Sequence, residues 1–165
     1  MAISPYIAAL RARIGSARLL IPSVTGIVYD ERGRILLVHQ RDGAVWSTPG
    51  GAIEPDETPA DAVVREMWEE TGLKVRPRRI LGVFGGSSFV VRYANDDETQ
   101  YVMTVFECTA LGGALRCDMD ETTELRFIGL DEFRSLNVSL WTREVLPLLY
   151  AQPDRAIFAP ASTPE

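Results

Sequence analysis

Between Gly51 and Leu73 the chain reads GAIEPDETPADAVVREMWEETGL, and no other stretch restricts its folding as tightly. Thr58 is a good helix N-cap, and Pro59 suits the first helical position, where a missing N–H costs nothing. Asp61 adds negative charge to the first turn, and Gly72 is a natural residue beyond the last. The spacing predicts one helix over residues 59–71. Side chains three or four apart share a helix face, so Glu66, Glu69 and Glu70 form an acidic strip. Ala60, Val63, Val64, Met67 and Trp68 form an adjacent apolar strip that can face a core.

Like charges at this spacing repel by a few tenths of a kcal/mol per pair, about 0.2–0.5. A cation reverses that cost. Hard divalent ions take oxygen ligands, and Mg²⁺ commonly uses one or two carboxylates plus substrate phosphates. Arg65 stands four residues before Glu69 and can orient its carboxylate. A plain solvated acidic face is the competing reading of such a cluster, but here Pro49-Gly50-Gly51, Glu57 and Gly72 frame it.

The full pattern, Gly51, Glu57, Arg65, Glu66, Glu69, Glu70, Gly72 and Leu73, resembles the Nudix box, the signature of the Nudix hydrolase superfamily. Met67 stands where the family has an aliphatic residue, a swap that similar volume tolerates. The resemblance runs from about Pro22 to Leu149 and implies an α/β fold, an α/β/α sandwich around a mixed sheet. It implies hydrolysis of the diphosphate linkage in a nucleoside diphosphate joined to a group X, either a nucleoside triphosphate or a nucleotide sugar such as ADP-ribose. It further implies Mg²⁺ or Mn²⁺ held by Glu66, Glu69, Glu70 and the Gly50 carbonyl, with Glu57 and Arg65 orienting the ligating carboxylates. The implied catalytic set is Glu66, Glu69, Glu70 and Glu121. The group that takes a proton from water varies in the family; Glu66 and Glu70 compete with Glu121, which lies with Glu124 just before a short strand.

Composition narrows the partners. The 165 residues are 46% hydrophobic and 24% charged, with a net charge of −6, as in one ordinary globular domain. No Lys/Arg run offers a footprint for nucleic acid or an anionic membrane. No stretch approaches the ~18 apolar residues of a membrane helix. Neither a secretory leader nor a disulfide framework is visible, since Cys108 and Cys117 are the only cysteines. A cytoplasmic protein with reduced thiols is expected.

Elsewhere the pattern predicts a helix from Pro5 to Gly15, strands over 23–29, 35–39, 75–84 and 125–128, and a hairpin of 89–93 with 100–110 around Asn95-Asp96-Asp97. A helical turn over 131–136 and a closing helix over 138–150, threatened by Pro147, complete a single domain over 1–150. Residues 151–165 read as a loose tail. For the substrate, Phe84, Phe89 and Tyr101 supply aromatic faces and Arg41 a bidentate phosphate partner; each also reads as ordinary packing or surface charge. Positions that mark subfamilies hold Ser88, Val90 and Val91 and do not name the group X. Two further readings remain open: a non-catalytic Nudix module that binds a nucleotide as a sensor, and RNA-end hydrolysis, which the negative charge disfavours. A homodimer is compatible with the resemblance.

Overall fold

The computed structural model describes residues 4–151, 154–159 and 161. Helix α1 (Pro5–Ile14) is followed by strands β1 (Leu19–Ile27), β2 (Ile35–Gln40), β3 (Val45–Ser47) and β4 (Gly50–Ala52). Next come α2 (Pro59–Thr71), β5 (Leu73–Phe84), β6 (Val90–Arg92), β7 (Glu98–Gly113) and β8 (Thr122–Ile128). A single turn, α3 (Leu130–Phe133), precedes α4 (Leu140–Ala151). Each element expected from the sequence has a counterpart, and α2 has the expected bounds.

Two sheets carry the fold. One has the order β4-β1-β7-β5, with β6 joined to β7; the other has the order β3-β2-β8. The β1–β7 pair is parallel, and the other pairings between strands are antiparallel. Alternate side chains point to opposite faces of a strand, which sorts the apolar residues into two cores. Leu36, Phe106 and Cys108 pack with Ala62, Val63 and Met67 of α2. Ile35, Leu37, Met103 and Val105 pack with Val145, Leu146 and Leu149 of α4. The result is the expected α/β/α sandwich around a mixed sheet arrangement.

Several boundaries moved, and β5, β7 and β8 are each longer than expected. β1 starts at Leu19 and runs through Pro22, against the usual exclusion of proline from central strands. The β4 strand pairs only with Ser23–Thr25; beside Pro22 the chain has left the ladder, and Ile53 N–H donates to Pro22 O at 3.1 Å, so the missing donor is tolerated. In the segment read as a loose tail, Ile157 docks on β5: its N–H donates to Leu81 O at 2.8 Å and its carbonyl accepts from Val83 N–H at 3.0 Å. α4 continues through Pro147 to Ala151. Among the described residues, no helix is long and apolar enough to cross a membrane.

Candidate active site

Local chemistry fixes α2 at both ends. Thr58 Oγ1 accepts a hydrogen bond from Asp61 N–H at 3.2 Å, and Gly72 closes the helix in the left-handed conformation, with φ 71°. The helix presents its acidic strip beside β4, where the Glu66 carboxylate lies against Gly51; a methyl group at residue 51 would overlap it. Glycine permits that close approach; a side chain at residue 51 would push the Glu66 carboxylate aside.

Arg65 organises the carboxylates. Its Nε donates to Glu57 Oε1 at 2.8 Å, and its Nη2 to Glu57 Oε2 and to Ala52 O, both at 3.0 Å. Its Nη1 donates to Glu66 Oε1 at 2.7 Å and Glu69 Oε2 at 3.0 Å. The guanidinium has five N–H donors in a rigid fork, so every one is engaged. The hydrogen bonds that Arg65 donates to Glu57 come first in raising the Arg65 pKa, and the same contact lowers that of Glu57. Glu57 also accepts from Glu54 N–H at 3.1 Å, tying the loop before the helix to the same knot.

Glu70 is 3% exposed, and its Oε2 accepts from Gly50 N–H at 2.8 Å. Burial raises its pKa well above the ordinary glutamate value, and the neighbouring Glu66 adds to the shift. Burial also lifts Glu66, to about 7, against the pull of Arg65; Glu69 and Glu121 push it further up. Glu121 lines the same cleft as Glu66 and Glu70, and its charge raises the pKa of both. The Glu121 loop is braced from two directions. Asp118 Oδ1 accepts from the N–H groups of Asp120, Glu121 and Thr122 at 2.9–3.0 Å. Arg41 donates through Nη2 to Met119 O at 2.6 Å and through its N–H to Glu121 O at 2.8 Å.

Among the described residues, no three acidic, histidine or cysteine side chains converge as a ready coordination cage. Arg65 gathers Glu57, Glu66 and Glu69, while Gly50 N–H holds Glu70. The donor set still fits a hard divalent cation. It offers oxygen atoms only, and two of its carboxylates are desolvated: burial raises the pKa of Glu66 and of Glu70, and charge on Glu66 raises Glu70 further.

Glu66, Glu69, Glu70, Glu121 and Arg65 line one cleft of about 1130 Å³ that runs between the sheets. Of the residues expected to touch substrate, Tyr101 lines this cleft and the other three do not. Phe89 is buried and stacks on Phe84 at 6.3 Å between ring centroids, and Arg41 is spent on the Glu121 loop. Sequence reasoning missed Trp141, whose ring lies 6.4 Å from that of Tyr101. It also missed Ile7 of α1, which lines the cleft too. Trp141 follows Ser139, a residue whose Oγ accepts from Thr142 N–H at 3.4 Å; this is an N-cap signal that fixes where α4 starts and therefore where Trp141 points.

A profile of the NUDIX domain matches residues 19–149. The chain belongs to the Nudix hydrolase family. A MutT-like protein of Streptomyces ambofaciens is 33% identical over 127 residues, covering 77% of this chain and 75% of its own. An ADP-ribose pyrophosphatase of Methanocaldococcus jannaschii is 31% identical over 117 residues, 69% of this chain and 64% of its own. Among solved structures, that of a UDP-X diphosphatase superposes with a TM-score of 0.70 at 26% identity, covering 94% of this chain and 74% of the other. These Nudix relatives differ in the substrates their names carry, so the family is common ground and the group X is not.

Proposed function

We propose that this Nudix hydrolase is a divalent-metal-dependent pyrophosphohydrolase that cleaves the diphosphate bridge of a nucleoside diphosphate linked to a second group. The observation that carries this reading is a pair of desolvated carboxylates, Glu66 and Glu70, at the wall of a cleft large enough for such a ligand. A cleft of about 1130 Å³ is somewhat larger than usual small-molecule sites, which span roughly 300–1,000 Å³, and suits a substrate with two bulky ends.

Glu66, Glu69, Glu70 and the Gly50 carbonyl would hold the cation. When bound, a divalent cation neutralises the diphosphate and lowers the pKa of a water molecule. The chain's own residues then have three tasks. Arg65 and Glu57 keep the carboxylates oriented. Gly50 N–H holds one Glu70 oxygen, which leaves the carboxylate one geometry. Glu121 accepts the proton of the attacking water: it is near enough to Glu66 and Glu70 to shift both, and its loop is fixed by Asp118 and Arg41. Arg65 is fully engaged with carboxylates, and Arg92, the other arginine on the cleft wall, pairs with Glu98 at 2.6 Å. Phosphate charge is therefore met chiefly by metal.

A phosphate-release screen tests this. Deoxy- and ribonucleoside triphosphates, ADP-ribose, nucleotide sugars, CDP-alcohols and dinucleoside polyphosphates are offered with Mg²⁺ or Mn²⁺, with Glu70→Gln as control. One dominant substrate whose turnover disappears in the control is the expected result. No turnover by a folded, metal-loaded protein refutes the hydrolase reading and leaves a nucleotide-binding module.

A further inference from the structure

Helix α1 lies outside the segment that matches the family profile, which begins at residue 19, yet it forms part of the cleft. Ser4 and Ile7 line the same cavity as Glu66 and Glu70. The helix itself is weakly anchored, since none of its residues is buried. Its half-buried stripe is Ser4, Ile7, Leu10 and Arg11, the spacing of one helical face.

One side chain ties it down. Arg11, with only 10% of its side chain exposed, stands within 3.6 Å of Asp97. Its Nη2 donates to Glu98 O at 2.6 Å and to Thr99 Oγ1 at 2.9 Å, at the start of β7. Its Nη1 donates to Ala17 O at 2.7 Å and Gly15 O at 3.2 Å, beyond the end of its own helix. The fork thus holds the helix, the turn after it and the sheet together. One turn earlier on the same face, Ile7 is held in the cleft.

Strand register locates this end of the cleft. In the parallel β1–β7 pair, Leu19 aligns with Thr99, where Arg11 binds, while Thr25 lies opposite Gly50 of β4. Six strand residues separate the two levels, about 20 Å at the usual rise. The Arg11 anchor is therefore remote from the carboxylates, and Tyr101, two residues along β7 from Thr99, lies about 13 Å from the Gly50 level. Around this end of the cleft stand Tyr101, Tyr93 and Trp141; the two tyrosine hydroxyls meet at 2.6 Å. An apolar isoleucine that shares the cleft wall with aromatic rings suits a flat, uncharged ring system, and a nucleobase is the part of the proposed substrate with that chemistry.

We infer that α1 is a recognition wall for the nucleobase, with Ile7 touching the base and Arg11 acting as the positioning residue that latches the helix in place. The inference rests on the proposed nucleotide hydrolysis. Because this wall is distant from the reacting phosphates, losing it weakens binding equally in ground and transition states, which raises KM and leaves kcat alone.

The test compares wild type with Ile7→Ser, Arg11→Met, Arg11→Lys and Arg13→Met, an exposed α1 position outside the latch. ADP-ribose, dGTP and UDP-glucose serve as probes, both for turnover with Mg²⁺ and for equilibrium binding by calorimetry in EDTA. Removing apolar contact from a pocket typically costs ~10-fold or more in discrimination. Ile7→Ser and Arg11→Met should therefore raise KM about tenfold with kcat within twofold, Arg11→Lys should recover part of the loss, and Arg13→Met should match wild type. An active wild type whose KM survives both Ile7→Ser and Arg11→Met overturns the inference but spares the hydrolase. Equal loss in Arg13→Met, or a fall in kcat that tracks the melting temperature, shows α1 to be merely structural and overturns it too. If wild type turns over none of the probes, the wider substrate screen judges the hydrolase reading by itself. Binding then decides: weaker binding to Ile7→Ser upholds the wall, and equal or absent binding removes it.

Discussion

Arg65→Lys isolates geometry from charge at the centre of the site. The substitution keeps one positive charge among Glu57, Glu66 and Glu69 but replaces a planar fork of five donors by a point charge with three. All five guanidinium donors are engaged in wild type, at 2.7–3.0 Å, so lysine forfeits at least two hydrogen bonds. A bond to a charged partner contributes ~1.5–3 kcal/mol. The Arg65 side chain is 30% exposed, and solvent reduces that figure, giving a loss of about 3 kcal/mol for the two together. For a chain of this size each kcal/mol moves the melting temperature by ~2–4 °C. Differential scanning calorimetry of the metal-free protein should then show a drop of roughly 6–12 °C. Activity should fall about 10–100-fold, the usual cost of disturbing groups behind a metal ligand, because Glu66 and Glu69 lose their shared anchor. A melting temperature within 2 °C of wild type (about the shift of half a kcal/mol), together with unchanged kcat/KM, would refute the idea that the fork is what orients these carboxylates.

Three other outcomes follow from the same geometry. Glu70→Gln should lower kcat by about 10²–10⁴, while leaving the metal-free melting temperature level or higher, since it replaces a buried charge by a neutral group of equal shape; a destabilised variant contradicts this. Gly51→Ala drives a methyl group into the Glu66 carboxylate and should weaken Mn²⁺ binding at least tenfold, about 1.4 kcal/mol, by calorimetry or paramagnetic relaxation; unchanged affinity counts against Glu66 as a ligand. In EDTA, stability should fall as pH rises from 4.5 through about 7, because Glu66 has its pKa raised over that interval and the folded state binds more protons than the unfolded chain. Denaturant melts at pH 5, 6, 7 and 8 check the sign, and saturating Mg²⁺ should flatten the trend.

What could be read before folding was local. The bounds of α2 follow from Thr58, Pro59 and Gly72, and the acidic strip follows from helical spacing, so both were visible in 23 consecutive residues. The Arg65–Glu69 contact was visible for the same reason. Contacts made by tertiary placement were not. Nothing in the spacing says that Arg41 turns to the carbonyls of the Glu121 loop, or that Phe84 and Phe89 stack with each other inside the core. Aromatic residues favour strands whether they face a ligand or a neighbour, so their type alone could not separate Tyr101 from Phe89. Ile7 and Trp141 reach the cleft only because α1 and α4 are docked across the sheets. Pro22 concealed the start of β1, since tolerance of proline depends on which neighbouring strand is present.

At the cleft wall, which includes Thr48 and Ser139, Ser47, Ser139 and Thr142 share a buried cluster of hydroxyl contacts, and Thr48 N–H donates to Thr142 Oγ1 at 3.1 Å. This cluster bolts the segment leading into Gly50 to the first turn of α4, which carries Trp141. The gap between the phosphate end and the aromatic end is thus set by a few short polar side chains with no part in the chemistry. Such a spacer can be adjusted by a methyl group or a hydroxyl, changing the length of ligand accommodated while the carboxylates stay as they are. Drift in substrate preference needs no change in the signature that makes the chain a hydrolase.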